Sequence, residues 1–303
     1  MRVVFMGTPD YATTILDSLV LDKDIEVVAL FTQPDKPVGR KQILTPPHIK
    51  NYLLEKSLDL PIYQPMSLKD ETSYTIIKDL NPDFIVVAAY GQILPQNILD
   101  IAPCINLHAS ILPKYRGASP IQDAILNQEK YSGVCAMLME EGLDSGDILG
   151  FSYLNIEGLT VIELFNKLAI LASTLTIKTL KNFKNIQPIK QNACDKSYAS
   201  KIKKEHGKVE LLDAKDVDAK YRAFIAWPGI FLKSGLKLKE ISLESEIGTN
   251  KEGEILEVGK DFALIGCKKG SIKIFMVQPP SKKMMSVVDY LRGKRLSVGD
   301  NIL

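Results

Sequence analysis

Histidine and cysteine are scarce in this chain of 303 residues. Histidines stand only at 48, 108 and 206, and cysteines only at 104, 135, 194 and 267. No two cysteines form C-x-x-C, and their gaps fit no zinc template, so no metal site is expected. Cys104 and Cys135 lie in apolar runs and read as small core residues. Long apolar runs are missing too: none approaches the roughly 20 residues of a membrane-spanning helix, and no membrane partner is expected. The opening stretch, M-R-V-V-F-M-G-T-P-D-Y-A-T-T-I-L-D-S-L, is apolar but carries Asp10 and Asp17. It reads as strand, turn and helix rather than a signal peptide, which leaves the cytoplasm as the default location. Glycine is sparse where a dinucleotide fingerprint would need it. M-G-T-P-D-Y-A (6–12) offers Gly7 alone in place of G-x-G-x-x-G, which disfavours a dinucleotide site.

The formal net charge is only +2. Its distribution is uneven: residues 1–200 hold 18 Lys and Arg against 22 Asp and Glu, a net of −4, and residues 201–303 hold 20 against 14, a net of +6. A basic C-terminal third fits an anionic partner such as nucleic acid. It equally fits a solvated lysine-rich surface, and charge alone does not separate the two.

The hydrophobic fraction of 46% and charged fraction of 24% are those of a globular protein, and the length suggests two domains. Strands are expected at 3–7, 25–31, 83–90, 104–110, 133–139 and 147–156. Helices are expected at about 11–21, 48–57, 72–80, 120–126 and 160–182, with Thr160 as N-cap of the last. Alternation of this kind predicts a doubly wound, mostly parallel α/β sheet over residues 1–182. Between the second strand and the second helix runs a polar, proline-rich stretch, Q-P-D-K-P-V-G-R-K-Q-I-L-T-P-P (33–47). Residues 183–208 are rich in Lys and Asn with weak periodicity and read as a basic linker. After a helix near 215–225, β-rich runs at 230–241, 253–267 and 271–279 predict a small barrel or sandwich over 209–303.

The chemistry concentrates in N-L-H-A-S (106–110), which ends a buried strand. Alternation places Asn106, His108 and Ser110 on one face. An extended loop, I-L-P-K-Y-R-G-A-S-P (111–120), follows at the same edge, and E-E-G-L-D-S-G-D-I-L (140–149) supplies Asp144 and Asp147, either of which can reach it. An amide, an imidazole and a carboxylate are the parts that acyl transfer between nitrogens requires. A carboxamide N–H can meet a developing oxyanion, an imidazole can relay protons near neutrality, and a carboxylate can orient the imidazole. Asn106 is assigned the oxyanion, His108 the relay and Asp144 the tuning. Ser110 lacks the G-x-S-x-G setting of a nucleophile.

These residues carry a family resemblance. N-L-H-A-S-I-L-P-K-Y-R-G-A-S-P-I-Q (106–122) and G-L-D-S-G-D-I (142–148) resemble the two signatures of the 10-formyltetrahydrofolate-dependent formyltransferases. M-G-T-P-D-Y-A (6–12), F-T-Q-P-D-K-P-V-G-R (31–40), V-V-A-A-Y-G-Q-I-L-P (86–95), W-P-G (227–229) and the 278–286 segment resemble the branch of that family that acts on methionyl-tRNA. The resemblance implies a Rossmann-like catalytic domain, a linker and an OB-like β-barrel. It implies catalytic positions at Asn106, His108 and Asp144. It implies a folate site lined by Ala89, Tyr90, Gly91 and Gln92 beside the pterin and by the 110–117 segment, including Ser110, Ile111, Leu112, Pro113 and Gly117. Formyltetrahydrofolate would be a co-substrate rather than a resident cofactor, and initiator Met-tRNA the acceptor. Glu140 departs from the aspartate common there, and the 33–47 loop is slightly short.

In the same reading, Lys36, Arg40 and Lys41 belong to a loop that enters the acceptor stem, and Lys203 and Lys204 to a basic strip that follows the backbone. Such contacts give salt-dependent affinity and little sequence information. Trp227 is expected at a packing corner. Nothing demands an oligomer, and a monomer is expected. A formyltransferase for a small amine, a nucleotide-binding dehydrogenase and a non-catalytic tRNA binder are the rivals. The basic linker, the missing glycine fingerprint and the complete polar trio argue against them in turn.

Overall fold

The computed structural model describes residues 1–39 and 41–303. The chain runs β1 (Arg2–Gly7), α1 (Asp10–Leu21), β2 (Glu26–Phe31), β3 (Lys36–Val38), β4 (Ile43–Thr45), α2 (His48–Lys56), β5 (Ile62–Tyr63), α3 (Glu71–Asp79), β6 (Phe84–Ala88), α4 (Gln96–Leu99), β7 (Cys104–His108), β8 (Arg116–Gly117), α5 (Pro120–Leu126), β9 (Tyr131–Leu138), β10 (Ile148–Asn155) and α6 (Val161–Asn182). It continues with β11 (Tyr198–Ala199), α7 (Ala214–Phe224), β12 (Ile230–Phe231), β13 (Lys237–Thr249), β14 (Ile255–Val258), β15 (Ala263–Gly266), β16 (Lys269–Gln278), β17 (Met285–Ser286) and α8 (Val287–Lys294). Two compact units result. The first comprises Met1–Pro120, Tyr131–Asn155 and Phe165–Ala199; the second comprises Ile121–Lys130, Ile156–Leu164 and Ser200–Leu303.

The first unit is built on a seven-stranded sheet in the order β10-β9-β7-β6-β1-β2-β5. The run from β5 to β7 is parallel, and β9 and β10 are antiparallel. Every residue of β6, Phe-Ile-Val-Val-Ala, is buried, as a parallel strand covered on both faces requires. The register pairs Gly7 with Ala88 and Val87 with Asn106, so β1, β6 and β7 end along one edge. Ligands bind at that edge in open α/β sheets. Gly7 lets α1 close onto it: a Cβ there would lie 2.4 Å from the Ala12 Cβ.

Helix α6 begins as expected. Thr160 Oγ1 accepts from the Glu163 N–H at 3.3 Å, and Glu163 Oε2 accepts from the Thr160 N–H at 2.8 Å, a reciprocal N-terminal cap. Three sequence expectations need correction. The strand expected at 83–90 stops at Ala88, because Ala89 turns to a φ of +47°. The strand expected at 104–110 stops at His108, because the Ser110 N–H folds back to the His108 carbonyl at 2.9 Å. The polar 33–47 stretch contains a short hairpin, β3 with β4, that its prolines and charges conceal.

The second unit carries a six-stranded antiparallel sheet along β12-β13-β16-β15-β14, with β17 on β16. Among the described residues the path from β12 to β14 does not close into the barrel expected of this region. The run expected at 230–241 is broken by a turn in which the Gly235 N–H reaches the Leu232 carbonyl at 2.8 Å. The run expected at 253–267 is the β14–β15 hairpin. Among the described residues, no helix is long and apolar enough to cross a membrane.

Candidate active site

Asn106 and His108 lie two residues apart on β7 and project to the same face. Both reach the Asp144 side chain. Asn106 Nδ2 donates to Asp144 Oδ1 at 3.3 Å, and His108 Nδ1 lies 3.6 Å from Oδ2. The Gly117 N–H donates to Oδ2 at 2.8 Å. His108 is buried, 7% of its side chain being exposed, and Asp144 is nearly so at 14%. On sequence both Asp144 and Asp147 can reach the edge, and the role is assigned to Asp144. Asp144 presents its carboxylate to the imidazole, whereas the Asp147 carbonyl accepts from the Leu138 N–H at 2.9 Å in the sheet edge.

The opposite ring nitrogen fixes the tautomer. His108 Nε2 lies 2.8 Å from the Tyr115 carbonyl, which can only accept, so Nε2 carries a proton. Nδ1, which faces the Asp144 carboxylate, is then the nitrogen left to accept a proton. Asn106 has a second N–H beyond the one given to Asp144. Ser110 does not belong to this group. It lies off the strand and its hydroxyl donates to the Lys114 carbonyl at 2.7 Å, bracing the loop.

Residues that the sequence reading missed hold the arrangement. Asp144 adopts a φ of +47°, which aspartate tolerates better than most residues. Gln191 Nε2 donates to the Asp144 carbonyl at 2.9 Å and to the Gly146 carbonyl at 2.8 Å, and Gln191 Oε1 accepts from Arg116 Nε at 3.0 Å and Nη2 at 2.7 Å. Ser197 accepts the Tyr115 N–H on its hydroxyl at 2.9 Å. The 197–199 backbone then pairs alongside Arg116 and Gly117 as β11 with β8. Gly117 has no room for a side chain, since a Cβ would lie 2.7 Å from the Ala199 carbonyl oxygen. Residues 191–199, within the 183–208 segment expected as a linker, therefore brace the site. The segment's basic composition gives no sign of this, because one glutamine and one serine do the bracing.

The residues expected to line a folate site fall into two sets. Ala89 and Gly91 are exposed, and Gln92, Ile111, Pro113 and Gly117 are half-buried. Tyr90, Ser110 and Leu112 are buried as whole residues and present almost no surface to a ligand. Tyr90 packs into the core under the sheet, and its carbonyl accepts from Thr8 Oγ1 at 3.0 Å and Gln33 Nε2 at 3.2 Å. Leu112 packs on Cys135 and Met137, and burial pushes the Cys135 thiol up to about 11. Gln92 ties neighbouring chain: its side chain accepts from the Leu68 N–H and donates to the Pro65 carbonyl.

Of the expected nucleic-acid contacts, Lys36 and Lys41 are exposed in or beside the β3–β4 hairpin, and Arg40 lies outside the described residues. Lys203 and Lys204 are exposed in the second unit. Trp227 is 54% exposed, so the packing corner expected of it is not what the fold makes. No group of three or more His, Cys, Asp or Glu side chains that could hold a metal occurs among the described residues.

The formyl transferase family profile matches residues 1–180, and the formyl transferase C-terminal domain profile matches residues 201–295. A methionyl-tRNA formyltransferase of a Nitratiruptor species is 60% identical over 301 residues, covering 99% of each chain. The chain belongs to the methionyl-tRNA formyltransferase family. Another member, from Wolinella succinogenes, is 54% identical over 301 residues, again covering 99% of each chain. The family's fold also occurs in an N-formyltransferase from Helicobacter canadensis solved with folinic acid and dTDP-3-aminofucose. That structure matches with a TM-score of 0.66 and 18% identity, over 92% of this chain and 100% of that one. Asn106, His108 and Asp144 all lie within the part of the chain that the formyl transferase profile matches.

Proposed function

We propose that the chain transfers the formyl group of 10-formyltetrahydrofolate to the methionine amine of initiator Met-tRNA. The observation that carries this reading is the single Asp144 carboxylate held against Asn106, His108 and the Gly117 N–H. The amine nitrogen attacks the formyl carbon, the new C–N bond forms, and the carbonyl electrons move onto oxygen. The second Asn106 N–H meets that oxyanion. His108 takes the amine proton at Nδ1, beside Asp144, which stabilises the imidazolium. Collapse of the tetrahedral intermediate breaks the bond to N10, and the proton passes to that nitrogen. Tetrahydrofolate and formyl-Met-tRNA leave, and the imidazole is restored.

The donor would lie along the sheet edge between the exposed Ala89 and Gly91 and the Ile111–Pro113 side of the loop. The acceptor would meet Lys36, Arg40 and Lys41 from one side. Residues 209–303, in the OB-like role expected of them, would carry its backbone together with Lys203 and Lys204 of the 183–208 segment. The enzyme would act as a cytoplasmic monomer.

Formyl transfer from 10-formyltetrahydrofolate should be measured with initiator Met-tRNA, elongator Met-tRNA and glycinamide ribonucleotide in parallel. Transfer to the initiator alone is expected. Transfer only to the small amine would retain the Asn106–His108–Asp144 chemistry and overturn the acceptor.

A further inference from the structure

The β3–β4 hairpin has little to hold it in place by itself. Its strands are three residues each, and Val38, Ile43 and Leu44 are 55%, 61% and 65% exposed. An isolated two-stranded hairpin is marginally stable at best. Its root is different. Lys50 Nζ donates to Asp35 Oδ1 at 2.9 Å, to Asp35 Oδ2 at 3.0 Å and to Gln64 Oε1 at 2.7 Å, which accounts for all three ammonium protons. Gln64 Nε2 donates to Asp35 Oδ1 at 2.7 Å and to the Gln33 carbonyl at 2.9 Å. Hydrogen bonds from Gln64 and then Lys50 hold the Asp35 carboxyl below its ordinary range. The donors stand on fixed elements. Lys50 follows the fully buried Ile49 on α2, and Gln64 follows β5 in the main sheet.

A second connection leaves the same root. Gln33 donates through Nε2 to the Tyr90 carbonyl at 3.2 Å and accepts on Oε1 from Lys36 Nζ at 3.3 Å. One carboxamide thus spans the first residue of β3 and the 88–92 segment. The chain between Asp35 and Lys50 is pinned at both ends by one carboxylate–ammonium pair, and among the described residues between them only Ile49 is buried in the core.

We propose that Lys50, with Asp35 and Gln64, is a positioning clamp for the acceptor: it fixes the 36–45 hairpin against the sheet edge, and Gln33 sets its distance from the 88–92 segment. The proposal rests on the acceptor reading given above. None of these residues touches the reacting atoms. They set where the hairpin meets Met-tRNA, so their loss weakens acceptor use and spares the folate.

The test uses Lys50→Met, Lys50→Arg and the isosteric Asp35→Asn in the full chain. Hydrogen exchange at the amides of 36–45 is measured alongside steady-state kinetics with each substrate varied in turn. In Lys50→Met and Asp35→Asn the hairpin amides should exchange faster. KM for Met-tRNA should rise roughly tenfold, inside the effect of about 10²-fold that an ångström of misplacement can have, while KM for 10-formyltetrahydrofolate and kcat stay within about twofold. Lys50→Arg should recover part of the loss. Unchanged exchange at 36–45, an equal rise in both KM values, or a fall in kcat with both substrates saturating would each overturn the clamp. Failure of the wild-type chain to formylate Met-tRNA would overturn the acceptor reading, and the clamp's role in recognition with it.

Discussion

The sheet edge at Asn106–Gly117 and the hairpin at Lys36–Thr45 belong to one unit and hold their side chains in opposite ways. At the edge, His108 is nearly buried, both ring nitrogens face fixed oxygens, and Asp144 meets three groups at once. At the hairpin, Lys36, Pro37, Val38, Ile43 and Leu44 are exposed, and the firm contacts lie at its root. The difference matches two kinds of work. Proton relay and oxyanion stabilisation depend on geometry set before the substrate arrives. Contact with a large polyanion depends on accessible charge held in roughly the right place. Substitutions at the edge should therefore act on kcat, and substitutions in the hairpin on KM for the acceptor.

The largest effects should come from the edge. His108→Ala should lower single-turnover transfer by about 10²–10⁴, and Asn106→Ala by roughly 10²–10³, with both substrates saturating. Near-normal turnover in either variant would remove that residue's role. Next comes Gln191→Leu, which touches no substrate in this scheme but frees the Asp144 and Gly146 carbonyls. A fall in kcat of roughly tenfold, with both KM values held, would show that a residue of the 183–208 segment serves the chemistry. A change confined to KM for tRNA would place Gln191 with recognition and blur the comparison.

Smaller effects belong to the hairpin. Arg40→Ala should raise KM for Met-tRNA and leave folate affinity intact, and equal loss of both would contradict a role in recognition. Lys36→Ala and Lys41→Ala should each flatten the slope of log affinity against log salt by about 0.7–0.9, the signature of one lost phosphate contact. The smallest effect should be that of Tyr90→Phe. Among the described residues the buried Tyr90 hydroxyl has no hydrogen-bond partner, and burial pushes its pKa up. Its removal should leave turnover unchanged and shift stability by no more than about 1 kcal/mol in either direction, as denaturant unfolding would record. A large loss of folate affinity in that variant would bring the ring into the ligand site after all.

How much of this was legible in the sequence depended on how local each signal was. The apolar runs of β1, β2 and β6 and the periodicity of α6 reported a buried parallel sheet, because burial on both faces leaves a continuous mark. Asn106, His108 and Asp144 were legible as residue types that share a chemistry. The bracing was not: Gln191 lies 47 residues from Asp144 and 75 from Arg116, and one polar residue in a lysine-rich segment carries no pattern. Alternation also misled. Carried two residues past His108, it put Ser110 beside the imidazole, where a backbone turn instead points the hydroxyl at Lys114. The β3–β4 hairpin went unseen because two three-residue strands, the first with a proline inside it, give no period to read.

The most direct measurement is single-turnover formyl transfer by Asp144→Asn with initiator Met-tRNA and 10-formyltetrahydrofolate both saturating. If one carboxylate organises the amide and the imidazole, the rate should fall by at least about 10²-fold, while both substrates still bind with near-wild-type affinity. A wild-type rate at saturation would show that Asp144 is not needed for the chemistry and would contradict formyl transfer by the Asn106–His108–Asp144 arrangement.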